Sequence, residues 1–270
     1  MEMLKFKPLP ETEAVVTAYL HDHITEMDVY RKYYPAILIC PGGGYEMVSM
    51  READPAALRY FAAGYQVFTL RYSVGDDAKN FTPLRELAET VANIREKAEQ
   101  YRVDAAHIAV CGFSAGGHLA ASLGTLWNHE AFLQRYNRRD QKHRPNALIL
   151  CYPVILAGDK AHQGSIDRVS VTDEGDLPQE FFSLEQQVSK DTPSSFLWAT
   201  AEDDCVPAEN SIAFISALQR EKIPYEAHIF PFGGHGLSVC TEEVGTDDAY
   251  NARWMDMSIG WLDHIFGYRR

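Results

Sequence analysis

The chain is predicted to be of the α/β class: a mostly parallel, twisted sheet with helices on both faces. Three observations predict this. Short apolar runs of strand length alternate with longer stretches whose apolar residues step by three and four along the 270 residues. Several of those runs stop at glycine- or proline-containing turns, as strands entering crossover connections do. No period of 20–50 residues repeats and no segment is of low complexity, which leaves no place for a solenoid or a fibrous chain.

The elements follow in order. Residues 14–20 are expected to add an antiparallel edge hairpin near the N-terminus. AILIC at 36–40 is a continuous apolar run halted by the Pro-Gly-Gly-Gly of 41–44, the signature of a buried strand. Residues 55–63 read as a helix, and QVFTL at 66–70 as the next strand, entered through Gly64. Leu84, Leu87, Ala88, Val91, Ile94, Ala98 and Tyr101 form one helical stripe, opened by Pro83 with Thr82 as its cap. A strand at 107–111 runs into Gly112-Phe113-Ser114-Ala115-Gly116, and a helix of small residues continues to about Trp127. Strands are expected at 147–151, 195–200 and 225–230. Helices are expected at 207–222, with Ile212, Ile215 and Leu218 on its apolar side, and at 248–266. The segment 156–190, after the sixth strand, is richer in Gly, Asp, Gln and Ser; it reads as a small insertion over the sheet edge.

Composition excludes several functions. Apolar residues make up 46% of the chain, enough for a sizeable core and too many for a disordered one. Twenty-five Lys and Arg against 38 Asp and Glu leave a net charge of −13, which opposes binding to a nucleic-acid backbone or an anionic membrane surface. The five cysteines are odd in number and form no CxxC pair; Cys40, Cys111 and Cys151 end apolar runs, where a thiol serves as a small hydrophobe. The first residues, MEMLKFKPLP, lack the apolar stretch of a secretion signal, and no run is long enough to span a membrane. A cytoplasmic location is therefore expected.

Gly112-Phe113-Ser114-Ala115-Gly116 is the strongest chemical signal. Between a strand and a helix, such a pentapeptide forces the serine into a strained turn and lifts its hydroxyl above the sheet; the alternative is a plain glycine-rich turn. A serine needs a base, and of ten histidines His235 stands out, in a glycine-rich loop directly after the last strand. His118, four residues after the serine, is expected to pack or bond locally. His21 and His23 form an H-x-H pair that reads as a solvated strand or turn. The base in turn needs a carboxylate, and Asp203 and Asp204 follow a strand between serine and histidine; one of them can equally cap the helix that opens near Pro207. The glycines of 42–44 offer unobstructed backbone N–H groups for an oxyanion, joined by Ala115, the residue after the serine.

Together these stretches resemble the α/β-hydrolase superfamily, and within it the small acetyl-esterase and acetyl-xylan-esterase-like branch, grouped with lipase/esterase and feruloyl-esterase-like proteins. The matching residues are PGGGY at 41–45, LRYSV at 70–74, GFSAGGHLAAS at 112–122, DTPSSFLWATAEDDCVP at 191–207, ENS at 209–211 and GGHGLS at 233–238. Pro41 and Phe113 stand where hormone-sensitive-lipase relatives carry a histidine and an acidic residue, which favours the sugar-ester branch. The resemblance implies one α/β-hydrolase domain over 1–270 with a small cap-like insertion at 156–190. It also implies Ser114, His235 and Asp203 as catalytic residues, with Asp204 in reserve, and Gly43, Gly44 and Ala115 as the oxyanion hole. The expected activity is hydrolysis of short acyl esters, acetyl groups on sugars or xylo-oligosaccharides foremost, without metal or cofactor. A small-molecule ester is the expected partner, with no nucleic acid and no membrane; homo-oligomerisation is left open. The rivals are a peptidase or amidase of the same fold and a non-catalytic binding protein built on it.

Overall fold

A computed structural model describes residues 1–173 and 177–268. Its sheet has eight strands: β1 (Glu2–Phe6), β2 (Val15–Leu20), β3 (Tyr34–Cys40), β4 (Gln66–Arg71), β5 (Val103–Phe113), β6 (Ala147–Cys151), β7 (Ser194–Thr200) and β8 (Tyr225–Phe230). They lie in the order β1-β2-β4-β3-β5-β6-β7-β8. β1 and β2 form the antiparallel edge hairpin, β2 pairs antiparallel with β4, and every pairing from β4 through β8 is parallel. The C-terminal ends of β3 to β8 therefore share one edge of the sheet, and the loops leaving them can meet there.

Strand alternation splits the core into two layers. Leu38, Val110, Leu148, Leu150 and Leu197 face one side, where they meet α2 (Thr82–Glu96), α4 (Ala115–Leu126), α5 (Glu130–Tyr136) and α7 (Glu209–Glu221). Ile37, Ile39, Cys111, Phe113, Ile149 and Trp198 face the other, covered by α1 (Asp54–Ala62) and α8 (Arg253–Phe266). Trp254 of α8 stacks on Trp198 with ring centres 5.1 Å apart, both fully buried, anchoring the last helix to β7.

Several expectations are corrected. The stripe from Leu84 to Tyr101 is not one helix: α2 ends at Glu96, and a separate turn, α3 (Ala98–Tyr101), follows. Thr82 lies inside α2; Phe81, in a left-handed conformation at φ 58°, precedes the helix and offers no side-chain cap. Ile212 is exposed; Phe214, Ala217 and Leu218 carry the apolar side of α7, with Ile215 half-buried against them. The C-terminal helix begins at Arg253, not at 248. The segment 156–190 contains α6 (Gln163–Ser170) and two 3-10 turns. It packs on the loops that leave the C-terminal ends of β3 and β4 and on α4 and α7. Its ends are tied together, Leu184 donating its backbone N–H to Ile155 O at 2.9 Å.

Candidate active site

β5 begins four residues before and ends two residues after the expected 107–111 and delivers Ser114 at the mouth of α4, with φ 53° and ψ −119°. L-residues rarely adopt this region, so the surrounding contacts must hold it. They do: the Ser114 N–H donates to Cys151 O at 3.0 Å, while Ser114 O accepts from His118 and Val154 N–H groups at 3.1 Å. Gly116 allows the turn, because a Cβ there would stand 2.1 Å from Cys40 O.

Ser114 Oγ lies 2.8 Å from His235 Nε2, and His235 Nδ1 lies 2.7 Å from Asp203 Oδ2. The other Asp203 oxygen accepts the N–H groups of Cys205 and Val206 at 3.0 and 2.9 Å. The Asp203 side chain is fully buried, whereas Asp204 is exposed and the contact with His235 is made by Asp203. The His235 loop is pinned from several sides. Thr200 Oγ1 donates to Gly233 O, Asn251 Nδ2 donates to Phe232 O, and the Arg51 guanidinium donates to the carbonyls of Gly236 and Val244.

After β3 the glycine loop turns sharply. Gly43, at φ 126°, cannot carry a side chain, since its Cβ would meet Met47 O at 2.2 Å. Gly43 O instead accepts the Glu46 and Met47 N–H groups. Among the described residues, the N–H groups of Gly43, Gly44 and Ala115 have no protein acceptor, so they are available to a ligand. These glycines, Ser114 and His235 line a cleft of about 690 Å³, together with Glu46, Met47, Ser49, Arg51, Glu52, His162 and Cys205.

Other residues at the site gave no local sequence signal. Glu52 is buried and accepts hydrogen bonds from Gly42 N–H and the Tyr152 hydroxyl. His118 is not engaged only locally, as its position suggested. Its Nδ1 lies 3.1 Å from the Tyr45 hydroxyl, and its Nε2 lies 3.1 Å from Phe182 O in the insertion. Burial pulls its pKa down to about 4, so the ring is neutral at pH 7 and accepts from Tyr45 while donating to Phe182. His162, half-buried in the insertion, is held by Ser165 Oγ at 2.8 Å and reaches the Gly44 side of the cleft. Of the H-x-H pair, His21 stacks between Tyr34 and Phe61 and His23 contacts Asp28. Among the described residues no cluster of His, Cys, Asp or Glu could hold a metal, and no helix is long and apolar enough to cross a membrane.

Comparison with known proteins agrees with this architecture. The BD-FAE family model matches residues 24–218, and the prolyl oligopeptidase family model matches residues 170–268. An endo-1,4-beta-xylanase B of Butyrivibrio fibrisolvens is 35% identical over 229 residues, 84% of this chain. The chain spans only 35% of that relative's length. Among solved structures, MGS-M1, an alpha/beta hydrolase enzyme from a Medee basin deep-sea metagenome library, superposes with a TM-score of 0.81 at 33% identity, covering 99% of this chain and 98% of its own. An acetyl ester-xyloside bifunctional hydrolase from Caldicellulosiruptor lactoaceticus superposes with a TM-score of 0.80 at 31% identity, over 98% of this chain and 92% of its own. With most of its length matched by one family model and its sheet shared with solved relatives, this chain has the α/β-hydrolase fold and belongs to the BD-FAE family.

Proposed function

We propose that the protein is a serine carboxylic-ester hydrolase acting on short acyl esters, acetyl groups on sugars or xylo-oligosaccharides foremost. The observation that carries this reading is the unbroken contact from Ser114 Oγ through His235 to buried Asp203, opening on a cleft rimmed by free N–H groups. Ser114 attacks the ester carbonyl as His235 Nε2 takes its proton, and Asp203 holds the ring with Nδ1–H toward its carboxylate. The N–H groups of Gly43, Gly44 and Ala115 stabilise the oxyanion of the tetrahedral intermediate. His235 returns the proton to the leaving alcohol, the acyl group stays on Ser114, and a water activated by His235 releases the acid.

The carbohydrate alcohol is supported by the polar cleft wall of Glu46, Ser49, Arg51 and His162 and by similarity to an acetyl ester-xyloside hydrolase. In this reading 156–190 acts as a cap-like insertion on one α/β-hydrolase unit and contributes His162 to the cleft. A cytoplasmic location is supported by the five free cysteines. Ser114→Ala is expected to abolish p-nitrophenyl acetate hydrolysis with unchanged circular dichroism; undiminished turnover overturns the proposal. The match of 170–268 to the prolyl oligopeptidase family favours amide hydrolysis as a second reading. Peptide p-nitroanilides, run beside acetyl, butyryl, octanoyl and feruloyl esters and acetylated xylo-oligosaccharide, separate the two. Failure of a fluorophosphonate probe to label Ser114 points instead to a binding protein.

A further inference from the structure

We propose that Glu52 is a positioning residue of the site, holding the glycine loop and the His235 loop in register through Gly42 and Tyr152. The inference rests on the esterase reading and adds to it a residue that neither the sequence motifs nor the reaction steps involve.

Glu52 lies just before α1, among charged neighbours typical of a surface turn, yet it is only 4% exposed. Its two carboxylate oxygens are divided between two loops. Oε2 accepts the Gly42 N–H at 2.7 Å, one residue before the glycines whose N–H groups face the cleft. The approach is close on every side: a Cβ on Gly42 would stand 2.8 Å from Glu52 Oε2 and 2.9 Å from Ser114 Cβ. Oε1 accepts the Tyr152 hydroxyl at 2.6 Å. Tyr152 follows β6 in a left-handed conformation at φ 37°. Its ring meets the His235 ring edge-on at 5.0 Å, and its hydroxyl oxygen accepts the Ser238 N–H at 2.9 Å, three residues beyond His235. One carboxylate therefore links the loops that follow β3, β6 and β8.

This arrangement is not one that stability alone would select. Burial pushes the Glu52 carboxyl above its ordinary pKa, against the pull of Tyr152, Gly42, His235 and Arg51. A buried carboxylate costs stability even when hydrogen-bonded. Two donors converging on its two oxygens are matched best by a carboxylate, which offers a full acceptor on each side where a neutral acid or amide offers one. A glutamine here either faces Gly42 N–H with its NH2 and loses that contact, or faces Tyr152 with it, reversing that bond and leaving the Tyr152 proton without its acceptor; either way one loop is held less firmly while the volume is unchanged.

The test is Glu52→Gln in the full chain, with kcat per active site obtained by burst titration of p-nitrophenyl acetate. Losing one oxyanion donor outright costs about 100- to 1,000-fold in other hydrolases; misplacing the loop is expected to lower kcat about 10- to 100-fold. KM should stay within twofold and Tm should be unchanged or higher. Tyr152→Phe, which keeps the Gly42 contact, is expected to lower kcat about 3- to 10-fold, and the double variant to be no worse than Glu52→Gln. Should Glu52→Gln fail to fold, Tyr152→Phe carries the test alone on the same kcat and KM criteria. A Glu52→Gln enzyme with kcat per titrated site within threefold of wild type, or with the loss confined to KM or to the number of titratable sites, overturns the positioning role. Failure of the wild type to hydrolyse the ester overturns the esterase reading and this role with it; wild-type turnover with a normal variant overturns this role alone.

Discussion

Replacing Asp203 by asparagine should disable the proposed enzyme through the tautomer of its histidine. Asp203 Oδ1 accepts two backbone N–H groups, from Cys205 and Val206, at 3.0 and 2.9 Å, while Oδ2 faces His235 Nδ1 at 2.7 Å. An asparagine must place its single carbonyl oxygen where the two N–H groups converge, which turns its NH2 toward His235 Nδ1. The imidazole then carries its proton on Nε2 and cannot accept one from Ser114. Restoring the productive tautomer requires flipping the amide and leaving two buried N–H donors unsatisfied, at about 1–3 kcal/mol each. A total of about 2–6 kcal/mol, at about 1.36 kcal/mol per tenfold, is a loss of about 30- to 25,000-fold in kcat. Steady-state hydrolysis of p-nitrophenyl acetate at pH 8 measures it, with Asp204→Asn as control, expected within twofold of wild type. An Asp203→Asn enzyme keeping a third of its activity, or an Asp204→Asn enzyme damaged as badly, refutes the reasoning.

Further outcomes follow from the same contacts. His118, buried and neutral with its pKa pulled from 6.5 to about 4, contributes stability that is complete above pH 6.5 and is lost as pH falls toward 4. Thermal melts of His118→Asn should therefore fall less steeply over that interval than those of wild type; parallel curves contradict it. Gly116→Ala, whose Cβ would overlap Cys40 O, should destabilise by about 3 kcal/mol or more, seen as a large drop in urea midpoint. His162→Ala should raise KM several-fold for acetylated xylo-oligosaccharide and leave p-nitrophenyl acetate nearly unchanged; equal effects on both count against a role in holding the alcohol. Thiol titration of the native protein should count Cys205 alone, and all five cysteines after denaturation.

Legibility in the sequence followed burial. Residues 147–151 are readable to the residue, because an apolar run entered through Pro145-Asn146 and halted by Pro153 is too short for a helix and fits a strand covered on both faces. At 225–230, Tyr225, Ala227 and Ile229 alternate with Glu226 and His228, and the strand has those bounds. β1 carries no strand signal of its own: Glu2 and Met3 are both exposed, only Leu4 and Phe6 alternate with Lys5, and the stretch looks like a polar tail until β2 pairs with it. Spacing alone puts Ile212 inward, whereas α7 is rotated so that Phe214 and Leu218 meet the core. At the site, Ser114, Asp203 and His235 each sit on a strand-end loop with its own glycine or carboxylate signature, so the contacts among them link residues already singled out. Glu52 had no such signature. Its partners lie 10 and 100 residues away, and only the fold brings Gly42 and Tyr152 to one carboxylate.

The short tie between Leu184 N–H and Ile155 O closes the insertion at its base, between the end of β6 and the approach to β7. A loop closed at its base behaves as an exchangeable cassette. Swapping the residues between those two positions should change which alcohol is accepted, while the strands that position Ser114, Asp203 and His235 are undisturbed. A replacement that keeps the Phe182 carbonyl for His118 and the Arg168 contact with Glu46 would alter the alcohol side of the cleft and leave the strands beneath it in place.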